Sequence, residues 1–280
     1  MKNKEITQKK LDAFEKHLRE DEKSKATIEK YLRDVRHFLE YADGRKIDKS
    51  LTMEYKSKLQ EDYAAASANS MIASMNSFLR FISLESCCVK QFKVQRKIYC
   101  SEEKELSREE YFRLIHAAKE KGSERLSLLI ETICATGIRV SELQYITAEA
   151  VRRGEATVNC KGKTRTIFIP NRLQKKLIRY IREQKIISSA VFITRTGKPI
   201  NRCNIWKEMK ALCERAGVSP GKVFPHNLRH LFARTFYGIE KDIVKLADIL
   251  GHSSINTTRI YIVTTGEEHR RKIDGMRLIS

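Results

Sequence analysis

No stretch of eighteen apolar residues occurs in this 280-residue sequence, and its first ten residues, MKNKEITQKK, lack an apolar core. Neither a membrane-spanning helix nor a secretory leader is therefore expected, and the expected setting is the cytoplasm. The seven cysteines are odd in number, and Cys87, Cys88, Cys100, Cys134, Cys160, Cys203 and Cys213 show no C-x-x-C spacing. That excludes a disulfide framework and a zinc site, leaving reduced thiols. A Walker-type glycine loop is missing, as is an acidic cluster that would hold magnesium, so neither a metal nor a cofactor is expected. Proline is scarce, four in all, and the first hundred residues contain none.

What the chain has in excess is positive charge: 55 Lys and Arg against 35 Asp and Glu, a net +20 with a pI near 9.7. The excess is spread over both halves, +6 through residue 100 and +14 beyond it, so this is not a neutral enzyme with a basic tail. A polyanion is the implied partner, most simply nucleic acid. Hydrophobic residues make up 41%, enough for real cores and against disorder.

The proline-free first hundred residues are expected to form a helical bundle. Leu11, Phe14 and Leu18 make one helical stripe between Ile6 and Glu20; Ile28, Tyr31, Leu32, Val35, Phe38 and Leu39 make a second, capped by Ser24 and stopped at Gly44. A third helix is expected from about Leu51 to Asp62, and a fourth capped near Ser67. Lys25, Lys30, Arg33 and Arg36 lie off the apolar stripe and are candidate DNA contacts. From about Cys87 periodicity fails and Lys90, Lys93, Arg96 and Lys97 gather, the pattern of an extended basic linker able to follow a phosphate backbone. The expected division is a DNA-binding domain over 1–98, including that linker, and a second domain over 99–280 with a tail at 263–280.

Ser107-Arg-Glu-Glu110 is a capping box that opens the second domain. A helix apolar almost all round, Arg125–Thr136, ends at A-T-G-I-R-V-S-E-L, with Gly137 as the breaker, Arg139 in the turn and Ser141 placed to cap the next helix. A β-hairpin is expected over Ala156–Asn159 and Thr166–Ile169, its tip the basic turn 161–164. Helices at Asn171–Ile186 and Arg202–Ala216 are expected to flank a short strand at Val191–Thr194.

The last fifty residues carry the chemistry. His226 and Arg229 in F-P-H-N-L-R-H are three apart, one helical face. The helix IVKLADIL ends in a Gly-His step at His252, and Tyr261 follows in L-G-H-S-S-I-N-T-T-R-I-Y. Arginine forks onto phosphate oxygens, histidine moves a proton and a phenol can act as nucleophile, a set suited to a phosphodiester.

The motifs A-T-G-I-R-V-S-E-L, C-K-G-K-T-R, P-H-N-L-R-H and L-G-H-S-S-I-N-T-T-R-I-Y, in this order and behind a helical N-terminal half, resemble the tyrosine recombinase (phage integrase) family, most closely its compact Xer-type members. The resemblance implies a mainly α fold: a helical core-binding domain and an α+β catalytic domain with a small antiparallel hairpin. It implies a site-specific recombinase that cuts and rejoins DNA through a 3′-phosphotyrosyl intermediate. Carried over position by position, Tyr261 is the nucleophile, Arg139 and Arg229 clamp the scissile phosphate, His226 assists proton removal and His252 hydrogen-bonds the phosphate. Lys161 is the general acid for the leaving 5′ oxygen, and Glu142 supports the site from behind. The hairpin is one residue shorter than the family's usual loop, which makes Lys163 the rival of Lys161 and leaves Arg165 as a backbone contact.

The implied partners are double-stranded core sites with inverted repeats, in the nucleoid, and three further copies of the chain. The tail, with Ile273, Met276, Leu278 and Ile279, is the expected docking element between protomers. About a hundred residues precede the linker, from which a core-site recombinase without an arm-binding domain is expected. Two rivals keep the same residues: a type IB topoisomerase-like relaxing enzyme, and a DNA-binding relative without activity.

Overall fold

A computed structural model describes residues 2–94, 104–160, 163–187, 190–252, 254–261 and 274–276. The chain divides into two compact units, Met1–Arg96 and Lys97–Ser280. Among the described residues the architecture is mainly helical with one two-stranded sheet, and no helix is long and apolar enough to cross a membrane.

The first unit is built from α1 (Lys2–Glu20), α2 (Lys25–Ala42), α3 (Lys49–Asp62) and α4 (Ala65–Phe81). Ser24 caps α2 by accepting from Thr27 N, and Asp48 caps α3 by accepting from Leu51 N. The apolar stripes meet in two clusters, Leu11, Phe14, Leu18, Leu32, Val35 and Phe78 in one, and Phe38, Tyr55, Leu59, Ile72 and Leu79 in the other. The fourth helix starts at Ala65 behind Ala64 with no side-chain cap, not at Ser67, because the alanine run extends it backward. The expected linker also starts later than Cys87. A 3₁₀ turn at Glu85–Cys87 buries Cys87 and Val89; Asn76 bonds Val89 through both its amide and its carbonyl, and Asn69 does the same for Phe92.

The second unit begins with α5 (Arg108–Glu120), whose Ser107–Glu110 capping box is formed in both directions. At its centre α6 (Glu124–Thr136) is buried on nearly every face. A 3₁₀ segment, Val140–Tyr145, leads to α7 (Ala148–Arg153). Ser141 caps nothing there: the Glu142 carboxylate accepts from Arg139 N at 2.9 Å, and Thr147 caps α7. The hairpin pairs β1 (Glu155–Cys160) with β2 (Lys163–Phe168) antiparallel, Val158 opposite Arg165. Helices α8 (Asn171–Glu183), α9 (Arg202–Lys210) and α10 (Cys213–Ala216) follow. The last two replace one expected helix: Leu212 N bonds Met209 O, a tight turn that drives Leu212 and Cys213 into the core. No strand forms at Val191–Thr194. Isolated bridges instead pair the preceding Ala190 with Thr147 and Ile193 with Pro199, while Val191 and Phe192 are buried in the core.

The unit closes with α11 (Pro225–Glu240) packed on α6, then α12 (Ile243–Leu250) and α13 (Ile255–Arg259). Ala233, Leu246, Leu250 and Tyr261 form a small separate cluster under these three helices.

Candidate active site

Three helix boundaries build the site. Gly137 ends α6 in the left-handed region at φ 63°, and Gly251 ends α12 there at φ 62°. A Cβ on Gly137 would lie 2.5 Å from Phe232, and one on Gly251 would lie 2.4 Å from Arg165. Both positions therefore need glycine for conformation and for space. At the third boundary the extended Phe224 leads into α11, with Pro225 in its first turn.

These helix ends turn carbonyls toward two arginines. Arg229, on α11, is 2% exposed. Its Nη1 donates to Gly137 O, and its Nη2 donates to Leu250 O at 2.7 Å and to His252 Nε2 at 3.0 Å. Arg139 donates through Nη2 to Gly251 O at 3.0 Å and through Nη1 to Glu142 Oε1 at 2.9 Å. The C-terminal ends of helices carry partial negative charge, so α6 and α12 offset the cost of burying these cations. Burial, then the charge of Arg139, still lowers Arg229 to about 10. The cation persists at neutral pH.

Glu142 is almost fully buried and is the shared counter-ion, accepting from Arg139 on one oxygen and from Arg165 Nη2 at 2.6 Å on the other. Burial pushes its carboxyl upward; the Arg139 amide and guanidinium and the Arg165 charge outweigh this and hold it below its usual range. Arg165 also donates to Ile249 O. It is therefore an internal tie among hairpin, Glu142 and α12.

Tyr261 is buried, and its ring is surrounded by three imidazoles: 4.3 Å from His230, 5.4 Å from His252 and 5.7 Å from His226 between centroids. Its hydroxyl lies 3.4 Å from His226 Nε2. All three imidazoles are held below the ordinary histidine value. For His252 and His230, to about 4, burial comes first; the charge of Arg229 follows at His252, and that of His226 at His230. His226 is lowered by burial, then by Arg229, Arg139 and Arg202. A neutral His226 beside a phenol can accept its proton.

Arg139, Glu142, His226, Arg229, His252 and Tyr261 are thus brought together from four segments. The cleft in front of Arg139, His226 and Arg229 has a volume of about 690 Å³ and continues along α9 past Arg202, Trp206 and Lys207. Lys161 lies outside the described residues, as does the side chain of Lys163. In the first unit, Lys25, Arg33, Arg36, Lys90 and Lys93 are exposed, while Arg96 and Lys97 lie outside the described residues. Lys30 is a correction. Its ammonium is spent inside the unit on Asp34 at 2.5 Å, Ser74 Oγ at 3.0 Å and Ser70 O at 3.0 Å, because the buried Asp34 needs a counter-ion.

Sequence reasoning missed His230, Thr258 and the α9 residues. His230 stands in the quoted P-H-N-L-R-H stretch, one turn after His226, so its spacing was a usable signal. Thr258 and Trp206 carried none.

Comparison with known proteins gives two family matches: the Phage integrase family over residues 104–268, and the Phage integrase N-terminal SAM-like domain over residues 11–86. The chain is 29% identical over 290 residues to tyrosine recombinase XerA of Pyrococcus furiosus, covering 100% of this chain and 98% of that protein. Among solved structures, a lambda integrase (75–356) dimer bound to a COC′ core site has TM-score 0.73 at 18% identity, covering 92% of this chain and 96% of that one. A lambda integrase tetramer bound to a Holliday junction has TM-score 0.71 at 18% identity over 91% of this chain and 76% of that one.

Proposed function

This chain belongs to the phage integrase family, and on that premise we propose that it is a site-specific tyrosine recombinase that exchanges DNA strands through a 3′-phosphotyrosyl intermediate. The observation that carries the reading is the Tyr261 hydroxyl, 3.4 Å from His226 Nε2 and within the same protomer's arginine cluster. Nucleophile, base and clamp all come from one chain, which supports cleavage in cis.

In the proposed reaction His226 takes the phenolic proton and the Tyr261 oxygen attacks phosphorus. Arg139 and Arg229 stabilise the charge that builds on the non-bridging oxygens. The P–O5′ bond breaks as Lys161, or Lys163 if the shortened hairpin moves the acid, delivers a proton to the 5′ oxygen. A 5′ hydroxyl from a partner strand then attacks the phosphotyrosine and releases Tyr261. One phosphodiester is made for each one broken, so no ATP is consumed. Glu142 keeps Arg139 in place through its two oxygens.

The substrate reading is double-stranded DNA with inverted-repeat core sites, supported by the +20 net charge, by the exposed Lys25, Arg33, Arg36, Lys90 and Lys93, and by the core-site DNA in the lambda integrase complexes. The proposed domain roles are DNA binding by residues 1–98 and catalysis by 99–280. Four protomers acting together, with the 263–280 tail as docking element, is the assembly we infer; residues 263–273 and 277–280 lie outside the described residues.

The test is Tyr261→Phe. Wild type incubated with DNA carrying the inverted repeats that flank its own coding region should leave a detergent-resistant adduct, and the variant should bind the same DNA without one. An adduct in the variant would move the nucleophile to another tyrosine, Tyr237 first.

A further inference from the structure

His252 holds two protein partners at once, and their chemistry fixes where its proton lies. An arginine guanidinium only donates, so His252 Nε2, 3.0 Å from Arg229 Nη2, must accept. A neutral imidazole has one donor and one acceptor nitrogen. The proton is therefore on Nδ1, which donates to Thr258 Oγ1 at 2.9 Å. Thr258 is fully buried on α13, and the His252 amide is itself held by Ala247 O at 2.9 Å. The ring is fixed at both ends and from its backbone.

This arrangement conflicts with the phosphate hydrogen bond that the family resemblance implies for His252. To hydrogen-bond a phosphate oxygen, His252 must present an N–H at Nε2, yet in the free protein Nε2 presents a lone pair. A phosphate oxygen arriving at Arg229 competes for Nη2 and would meet that lone pair. Protonating the ring is one way out, and moving the proton from Nδ1 to Nε2 is the other. Cations face His252 from three elements: Arg229 on α11, Arg165 on β2 and Arg139 after α6; His226 and the Tyr261 ring at 5.4 Å complete its surroundings. A further positive charge is costly in this buried place, consistent with its value of about 4. Thr258 offers the cheaper route, because a hydroxyl accepts from Nδ1–H and, after rotating, donates to a bare Nδ1.

We propose that Thr258 is a positioning residue whose hydroxyl lets neutral His252 exchange the Nδ1–H tautomer that holds Arg229 for the Nε2–H tautomer that donates to a bound phosphate oxygen. The inference rests on the reading of Arg139 and Arg229 as the phosphate clamp. No net proton is gained. The imidazole loses its Nδ1 proton and takes one at Nε2, by exchange with solvent, as the Thr258 hydroxyl reverses direction. In the free protein the same tautomer helps hold Arg229 in place.

The test uses sulfate as the probe, since it mimics the phosphate and stays unprotonated near neutral pH. Imidazole ¹⁵N shifts of His252 should show neutral Nδ1–H in the free protein at pH 7 and neutral Nε2–H with sulfate bound. The binding enthalpy should be independent of the buffer's ionisation enthalpy. Thr258→Ser keeps the hydroxyl and should behave as wild type. Thr258→Val removes the Nδ1 partner of both tautomers and should leave His252 a mixture of the two, with a smaller ¹⁵N change on sulfate binding than in wild type.

If sulfate leaves the Arg139 and Arg229 guanidinium signals unmoved, the clamp reading fails and this proposal goes with it. If sulfate binds at the arginines but His252 stays Nδ1–H, or becomes an imidazolium with proton uptake, the tautomer exchange alone is overturned. Should Thr258→Val misfold, the wild-type ¹⁵N result and Thr258→Ser decide by themselves.

Discussion

Arg229 and Gly137 are joined by a hydrogen bond from the guanidinium Nη1 to the carbonyl at the end of α6, across 92 residues of sequence. The glycine is there because the chain must enter the left-handed region and because Phe232 fills the space a side chain would need. The same turn aims the carbonyl at the buried cation. Gly251, ending α12, repeats the device, with its carbonyl on Arg139 and Arg165 packed beneath it.

Gly251→Ala should therefore cost more than its backbone conformation alone. A left-handed non-glycine residue costs about 1–2 kcal/mol, and here a Cβ would also lie 2.4 Å from Arg165 Cδ. Gly122 has a similar φ of +71° with nothing within 4 Å, so Gly122→Ala supplies the control. In urea unfolding, Gly251→Ala should be the more destabilised of the two. Equal losses would mean that Arg165 moves aside freely.

Glu142→Gln removes the charge shared by Arg139 and Arg165, and breaking a buried pair of this kind costs about 3 kcal/mol. The folded carboxyl is held below its usual value. The advantage of wild type over Gln should then be complete above the unfolded carboxylate value and vanish as pH falls through the lower folded one. Unfolding free energies of both proteins across acid pH check this. A gap that stays constant into strong acid would assign the effect to shape and not to charge.

The hairpin lysines can be separated by the leaving group. Loss of the general acid should slow cleavage of ordinary DNA by roughly 10²–10⁴-fold. Sulfur in place of the bridging 5′ oxygen departs without a proton, so Lys161→Ala should recover most of its rate on that substrate and Arg139→Ala should not. Rescue of Lys163→Ala in place of Lys161→Ala would assign the acid to position 163.

DNA affinity should depend steeply on salt. Contact with six to ten phosphates predicts a fall of about 10³–10⁵-fold between 50 and 200 mM salt. Arg36→Ala should reduce that slope, whereas Lys30→Ala should instead lower stability, because its ammonium serves Asp34. A shallow slope in wild type would remove the electrostatic basis of the substrate reading.

The fragment 97–280 is one of the two compact units. Expressed alone it should unfold cooperatively and form the Tyr261 adduct, with much weaker DNA binding than the full chain. A fragment without cooperative unfolding would place the proposed domain boundary elsewhere.

Local sequence determined the elements. Apolar spacing at three and four residues, the Ser24 cap, the Ser107–Glu110 box and the glycines after α6 and α12 encode their helices within one or two turns of chain. The helical class, the hairpin and the motif residues Arg139, His226, Arg229, His252 and Tyr261 were legible for the same reason. Tertiary structure alone decided what each cation faces. Lys30 and Arg165 look like surface charge in sequence, but Asp34 and Glu142 are buried, and a buried carboxylate must draw a partner inward. It also decided that Thr258, silent in sequence, is the Nδ1 partner of a His252 whose Nε2 accepts from Arg229. That depends on Arg229 reaching the other ring nitrogen from a helix 23 residues away, a contact no local pattern encodes.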